Sequence, residues 1–251
     1  MAKDVLMTTR EAAIESLKID SPPVTLRELA LERIREAIVA GTFEPGTRLV
    51  ERTLCDQLGV SRSVIREVIR HLETEGLIEM SKQGPIVARL DWNDARQIYD
   101  IRALLESAAV ADCASRADSA TKSRLAAILD DLDRNAARHA PPTMLDATIE
   151  FYAVIFASSG HDVAWEIVAR LNSRISRLRV MTLGTANRTV SGPARLREIF
   201  NAIDRNDPEA AAAACRQHIA EAAKIAETIL TSEIAIEQPL SRRRSGASSR
   251  M

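Results

Sequence analysis

The sequence has few aromatic residues and almost no net charge, and each shortage excludes a class of protein. Phe, Trp and Tyr make up 3% of the 251 residues while 46% are hydrophobic, so alanine and aliphatic side chains must form most of the core. This composition predicts a mainly helical chain, long enough for two domains with separate cores. The 34 basic residues nearly balance the 35 acidic ones, which argues against a protein that coats nucleic acid through general charge.

Membrane, secreted and catalytic proteins have signatures that are also missing. No run of about 18 apolar residues occurs, and MAKDVLMTTREAAIE lacks the apolar centre of a signal peptide, so we expect a cytoplasmic protein. Cys55, Cys113 and Cys215 are scattered without a CxxC spacing, which is typical of small buried residues in a reducing compartment. The histidines lie far apart, and no glycine-rich phosphate loop or nucleophile motif appears, so we predict no enzyme.

Against this balanced background, the segment LGVSRSVIREVIRHLETEGLI gathers arginines on one side of a predicted helix. Its apolar residues recur at spacings of three and four and predict a buried stripe: Val64, Ile65, Val68, Ile69 and Leu72. The opposite side carries Arg62, Ser63, Arg66 and Arg70. Gly59 can end the preceding helix and Ser61 can cap this one, which is the layout of a helix-turn-helix. The alternative interpretation is the solvated face of an ordinary helical hairpin.

The flanking sequence extends this layout to a winged helix. A first helix is predicted over residues 25–40, a turn at Pro45-Gly46, and a second helix over residues 51–58 with Arg52 near its start. After the arginine-bearing helix, the short runs LIEM and IVARL surround the turn SKQGP and predict a β-hairpin, the wing. Residues 23–90 would form this domain.

The whole of this region resembles a known family. The run LRELALERIREAIVAGTFEPGTRLVERTLCDQLGVSRSVIREVIRHLETEGLIEMSKQGPIVA is similar throughout to the amino-terminal winged helix of GntR-type transcription regulators. The resemblance implies DNA contacts from four side chains and from the glycine at the wing tip: Arg52, Arg62, Ser63, Arg66 and Gly84. Arginine suits this role because it can bind a guanine edge bidentately or clamp a phosphate. A serine near a helix start can bind phosphate together with the backbone.

Residues 93–231 read as helices only and predict an antiparallel bundle of roughly six or seven helices, one of them running from Val163 to Leu183. The segments YDIRALLESAAVADCA, EFYAVIFASSGH and REIFNAIDRNDPEAAAAACRQHI resemble the all-helical effector domain of the FadR subfamily. The resemblance implies a homodimer that binds a small organic ligand, commonly a carboxylate or acyl compound. The ends, residues 1–22 and the basic tail at 238–251, have the composition of disordered segments.

Many bundles of this subfamily hold a divalent metal with one Asp and three His, and the resemblance places those positions at Thr148, Tyr152, Leu196 and His218. Only His218 is a good ligand, so we expect no metal cofactor. We expect hydrogen-bonding and ion-pairing groups to bind the effector instead: Arg102, Thr148, Tyr152, Arg177 and His218. Two alternatives stay open: Tyr152 and His218 as ordinary core residues, and Arg102 with Glu106 as an i,i+4 surface pair.

The sequence therefore predicts a ligand-responsive, sequence-specific regulator, a repressor in most such families. It would bind a palindromic operator as a dimer, and a small, anionic organic acid or acyl-type effector would release it. The alternative is a constitutive architectural DNA-binding protein whose helical domain only dimerises. Buried polar groups facing one cavity inside the bundle would favour the first hypothesis.

Overall fold

The structure is a computed structural model that describes residues 24–134, 141–183 and 192–237. The tails for which we predict disorder, residues 1–22 and 238–251, lie outside these ranges. The described residues form ten helices and one two-stranded sheet, so the predicted mainly helical fold with a small hairpin is confirmed. Within these ranges, no helix is both long and apolar enough to cross a membrane.

The first part of the chain folds as the predicted winged helix. Its elements are α1 (Leu26–Val39), α2 (Glu51–Leu58), α3 (Arg62–Thr74), β1 (Ile78–Ser81) and β2 (Gly84–Val87). The strands pair antiparallel from Ile78 opposite Val87 to Ser81 opposite Gly84. The second strand therefore begins at Gly84, two residues before the predicted IVARL run. Gly84 has φ +111°, a conformation that favours glycine at this tight turn.

The turn between α2 and α3 is set by two residues of the sequence. Gly59 ends α2 in the left-handed region, with φ 66°, and its N–H donates to the Cys55 carbonyl at 2.9 Å. The Ser61 hydroxyl accepts from the Val64 N–H at the start of α3. Four residues of the predicted stripe of α3 are buried, Ile65, Val68, Ile69 and Leu72, and the fifth, Val64, is partly buried against the same core. The arginine-bearing side is left outside.

The second part of the chain is a helical bundle. Its helices are α4 (Trp92–Arg116), α5 (Ser119–Arg134), α6 (Pro141–Ser159), α7 (Asp162–Arg174), α8 (Ser176–Leu183), α9 (Gly192–Asp204) and α10 (Pro208–Glu237). The two longest, α4 with 25 residues and α10 with 30, pack along each other, and α6 and α9 pack against them. One continuous apolar core fills the space between these helices.

The single helix predicted from Val163 to Leu183 is wrong, because the structure divides it into α7 and α8. The break is at Ile175, which has φ −105° and ψ 12° and is completely buried. No glycine or proline marks this position, so apolar periodicity continued across it in the sequence. The break sets the rotation of α8 about its axis, and this rotation decides which arginines of α8 face the bundle interior.

Candidate DNA interface and effector cavity

The residues predicted to contact DNA lie on α2, α3 and the wing. Arg52, Arg62, Ser63 and Arg66 are exposed, as the stripe of α3 requires. Ser63 lies 2.8 Å from Ser61, hydroxyl to hydroxyl, so the serine predicted to bind phosphate adjoins the residue that caps α3. These side chains form a polar surface from which α3 can enter a major groove.

Arg66 is held in place by a residue that sequence reasoning did not single out. Its Nε donates to both carboxylate oxygens of Glu51, at 3.0 and 3.2 Å, and joins α3 to the start of α2. Both side chains are partly exposed, and such surface pairs contribute only about 0–1 kcal/mol. Glu51 therefore orients Arg66 without preventing its transfer to a phosphate or guanine.

Arg48 adds a positive charge beside the wing. It pairs with Ile86 in an isolated antiparallel bridge, and its Nε lies 4.0 Å from where a Cβ would stand on Gly84. The side chain is exposed. Local sequence did not indicate this placement, because it depends on the strand pairing between the segment before α2 and the wing.

Three of the predicted effector-binding residues meet in one cavity inside the bundle. Arg102 of α4, Thr148 of α6 and His218 of α10 line it, together with Arg179 of α8 and Leu196 of α9. We call this space the effector cavity. Its volume is about 20 Å³, room for about one water molecule. An organic ligand must therefore displace lining side chains as it enters.

Arg102 and Glu106 form a buried ion pair, so their interpretation as a surface pair is wrong. The Arg102 Nε donates to Glu106 at 2.7 Å, and the side chains are 2% and 0% exposed. Burial alone would lower the pKa of Arg102, but the Glu106 carboxylate outweighs it and raises that pKa. Arg102 also lies over the Tyr99 ring, 5.5 Å from its centroid.

Arg179 is the residue of this cavity that sequence reasoning missed. It is 6% exposed, and its Nη1 has no hydrogen-bond partner among the described residues. Burial, and then the neighbouring charge of Arg102, lower the pKa of Arg179 to about 10, so the group remains protonated at neutral pH. Two guanidinium groups thus share the single carboxylate of Glu106, and the site carries a surplus positive charge.

Tyr152 lies behind the lining of the cavity. It is buried, and its hydroxyl lies 3.6 Å from the Cys215 sulfur. Burial raises the pKa of Tyr152 well above its ordinary value, and burial raises the pKa of Cys215 to about 12. Both groups are therefore neutral at physiological pH. Tyr152 supports the cavity from the core and does not line it.

The structure places Arg177 away from the cavity, at the junction of the two domains. Its Nε lies 3.6 Å from where a Cβ would stand on Gly41, and it lines a separate cleft of about 490 Å³ with Arg174. Arg174 packs over Gly76 of the winged helix. Residues two positions apart on a helix point about 200° apart, so Arg177 and Arg179 lie on nearly opposite sides of α8. Arg179 faces the bundle interior, and Arg177 faces the domain junction.

Two family models match the chain in succession. Residues 26–87 match the one described as bacterial regulatory proteins, gntR family, and residues 97–221 match the FCD domain. The chain therefore has a GntR-type DNA-binding domain followed by an FCD domain. A GntR domain followed by an FCD domain is consistent with the FadR subfamily, and the matched relatives are transcription regulators, not enzymes.

Individual GntR relatives agree with this assignment. The HTH-type transcriptional regulator YdhC of Bacillus subtilis (strain 168) is 26% identical over 208 residues, which cover 82% of this chain and 91% of that protein. The gluconate operon transcriptional repressor of the same organism is 39% identical over 74 residues, 30% of each chain. The structure of E. coli McbR/YncC, at 20% identity, has a TM-score of 0.67 and covers 84% of this chain and 100% of its own. That likeness shows the shared fold.

Three of the four positions that the resemblance assigned to metal ligands line the effector cavity. Thr148, Leu196 and His218 line the effector cavity, and Tyr152 follows Thr148 by one turn of α6. Their chemistry does not fit a divalent metal. Leu196 has no donor atom, and the Thr148 hydroxyl is a neutral group that donates to the Met144 carbonyl at 2.8 Å.

The charges around the cavity disfavour a cation as well. Tyr152 is neutral because burial raises its pKa, and Arg102 and Arg179 bring two positive charges to the same space. Among the described residues, no three His, Cys, Asp or Glu side chains are grouped so that they could hold a metal ion. The residues present therefore suit an anion and not a metal.

Proposed function

We propose that this GntR protein is a ligand-responsive, sequence-specific transcription regulator, a repressor that a small organic acid or acyl-type anion releases from its operator. The observation that supports it is the surplus positive charge of Arg179 inside the bundle. A bundle that served only to dimerise would gain nothing from burying an unmatched charge, which costs several kcal/mol. The site therefore favours a sensor over a constitutive architectural protein.

In this proposal the effector takes the place of the missing counter-charge. A carboxylate can pair bidentately with the Arg179 guanidinium, while Arg102 remains with Glu106. The Thr148 hydroxyl and the His218 ring line the same space and would orient the rest of the ligand. Binding in the bundle would then alter the placement of the winged helices.

The DNA-binding side of the proposal is a homodimer on an inverted repeat. Two copies of α3 would each enter a major groove, so the operator would carry the two-fold symmetry of the protein. Arg62 and Arg66 would read or clamp the duplex, with Arg52, Ser63 and Gly84 on the phosphates. A cytoplasmic location belongs to the same proposal, because its partner would be chromosomal DNA.

Arg62→Ala should weaken operator binding by about 1–3 kcal/mol, because one major-groove or phosphate contact is lost while the fold is kept. The measurement is a mobility-shift titration on the footprinted operator, which we expect to be an inverted repeat. Arg66→Ala should behave in the same way.

The control for this titration is Arg124→Ala, which removes an exposed arginine of α5 that pairs with Glu150. Its affinity for the operator should equal that of the wild type. Unchanged affinity in both the Arg62 and Arg66 variants would contradict the assigned interface.

Protein purified without chelator should contain no stoichiometric metal, because the cavity offers one good ligand, His218, next to two arginines. Elemental analysis followed by titration with Zn²⁺ and Ni²⁺ measures this directly. The matched variant is His218→Ala, which should leave the metal content as low as before. One equivalent of metal in the wild type that this variant loses would show that the site is metal-dependent.

A further inference from the structure

A second pocket lies between the winged helix and the bundle. It measures about 490 Å³, within the range of about 300–1,000 Å³ found for small-molecule sites. Helix α1 forms one wall, and α6, α7 and the start of α8 form the other. We propose that this interdomain pocket binds a small organic cation, an amine carried on an apolar body. This inference goes beyond the proposed function and does not depend on it.

The walls of the interdomain pocket are mostly apolar. Val39 and Leu77 of the winged helix face Leu145, Ile149 and Trp165 of the bundle. These side chains can surround the hydrocarbon part of a ligand, and an aromatic ring offers a face that attracts cations. The walls therefore select for an apolar body rather than for a free inorganic ion.

Two buried oxygen atoms at this pocket lack hydrogen bonds among the described residues. They are the Asn172 Oδ1 and the Ser176 Oγ, and these residues are 6% and 8% exposed. A buried carbonyl oxygen without a donor is unfavourable, and a bound group that donates would remove the penalty. An ammonium group has three N–H donors and no acceptor, so its hydrogen-bonding chemistry suits oxygens that lack a donor.

The charge of the pocket has the sign that an amine requires. Glu32, Glu36 and Asp146 line it, and Arg35 is the only basic residue among its described lining residues. Arg35 is already paired with Glu32 and, at 2.6 Å, with Glu75. The described lining residues of the pocket therefore carry a net negative charge.

Asp146 is the carboxylate best placed to meet a ligand. Among the described residues, Asp146 forms no salt bridge, that is, no basic nitrogen lies within 4.0 Å of its carboxylate. Glu36, in contrast, lies 3.4 Å from the Arg33 guanidinium. Burial and then the nearby charges of Glu32 and Glu36 raise the pKa of Asp146, so a cation would relieve repulsion there. Glu32, Glu36 and Asp146 are not grouped so that they could hold a metal ion together, as is true of all described residues. This favours a larger organic cation over a divalent metal.

The site is placed where occupancy can affect both domains. Ser176 of α8 faces the interdomain pocket, and Arg179, one turn later, faces the effector cavity. On α6, Asp146 lines the interdomain pocket and Thr148 lines the effector cavity. A ligand that spans α1 and α6 would hold the winged helix against the bundle.

The experiment uses Trp165 as a fluorescent reporter in the full chain. Trp92→Phe removes the other tryptophan, since the sequence holds two. Phenethylamine, phenylpropionate and phenylethanol are titrated at millimolar concentrations; they share an aromatic body and differ in charge. We expect a saturable change with the amine, and a weaker response or none with the anion and the alcohol.

Variants test the residues. Glu36→Gln combined with Asp146→Asn should weaken amine binding about fivefold or more, as the loss of two exposed charge contacts implies. Ala169→Phe should abolish binding, because Ala169 lines the pocket and the larger side chain would fill it. Glu150→Gln removes a charge from the same helix outside the pocket and should bind as the parent does.

Arg179→Met separates this proposal from the proposed function, because it alters the effector cavity alone and should leave amine binding unchanged. The proposal is overturned by equal binding of the anionic probe, by unchanged affinity in the double charge variant, or by no saturable amine signal in the parent protein.

Discussion

Glu106→Gln should destabilise the protein by about 3–5 kcal/mol, because it removes one partner of a buried ion pair and leaves an uncompensated charge. The loss is larger than for an isolated pair, since Arg102 and Arg179 would then both be buried without a carboxylate. Glutamine keeps the size and one hydrogen-bond acceptor of the side chain, so the change measures charge rather than a cavity. Urea unfolding followed by circular dichroism at neutral pH gives the free energy of unfolding.

The same helix provides a matched control. Arg96 and Asp100 form an i,i+4 pair at 3.1 Å, with both side chains mostly exposed. Asp100→Asn should change the free energy of unfolding by less than about 1 kcal/mol. If the two variants differed by no more than this, Glu106 would not be compensating a buried charge.

These two pairs show where sequence reasoning stops. Both pair an arginine with a carboxylate at i,i+4 spacing on α4, aspartate in one pair and glutamate in the other, and nothing local in the sequence ranks their burial. Burial is decided by α6, α8 and α10, which pack against Arg102 from distant parts of the chain. For α3, the spacing of apolar residues was sufficient to predict which side is buried, because the apolar stripe and the polar side both lie within one short segment of the sequence.

Arg177 and Arg179 show a second limit. Sequence reasoning predicted that Arg177 would pair with the effector, but the arginine of this segment that lines the effector cavity is Arg179, and Arg177 lines the cleft at the domain junction. The selection depended on the rotation of α8 after the break at Ile175, and that break has no glycine or proline signal. The interdomain pocket has no local signature either, since its walls come from two domains.

Under the proposed function, the placement of Arg179 means that the ligand-free protein loses stability and that a bound anion restores it. A buried arginine that shares its counter-charge with a second arginine disfavours the folded state, and an anion that binds there removes this penalty and gains the same amount of binding free energy. The lowered pKa of about 10 fixes the sign of the pH dependence. The penalty is complete below that pKa and decreases as pH rises toward the ordinary arginine value, where the unfolded chain holds more protons.

Arg179→Met should therefore stabilise the ligand-free protein at neutral pH, by about 1–4 kcal/mol, while abolishing its response to anions. Methionine keeps an unbranched apolar stem of similar reach, and Arg102 retains Glu106 as its partner. The measurement is urea unfolding without ligand, followed by thermal unfolding against a series of small organic acids. A stabilising acid should raise the melting temperature of the wild type and leave that of the variant unchanged.

The control is Arg177→Met, the same substitution two residues earlier on α8. Arg177 is half-buried at the domain junction and does not face the effector cavity, so its replacement should neither stabilise the bundle nor alter the response to acids. A loss of stability in Arg179→Met would mean that the guanidinium already has a counter-charge inside the protein. In that case an effector anion would have no surplus charge to satisfy, and the constitutive DNA-binding hypothesis would be favoured.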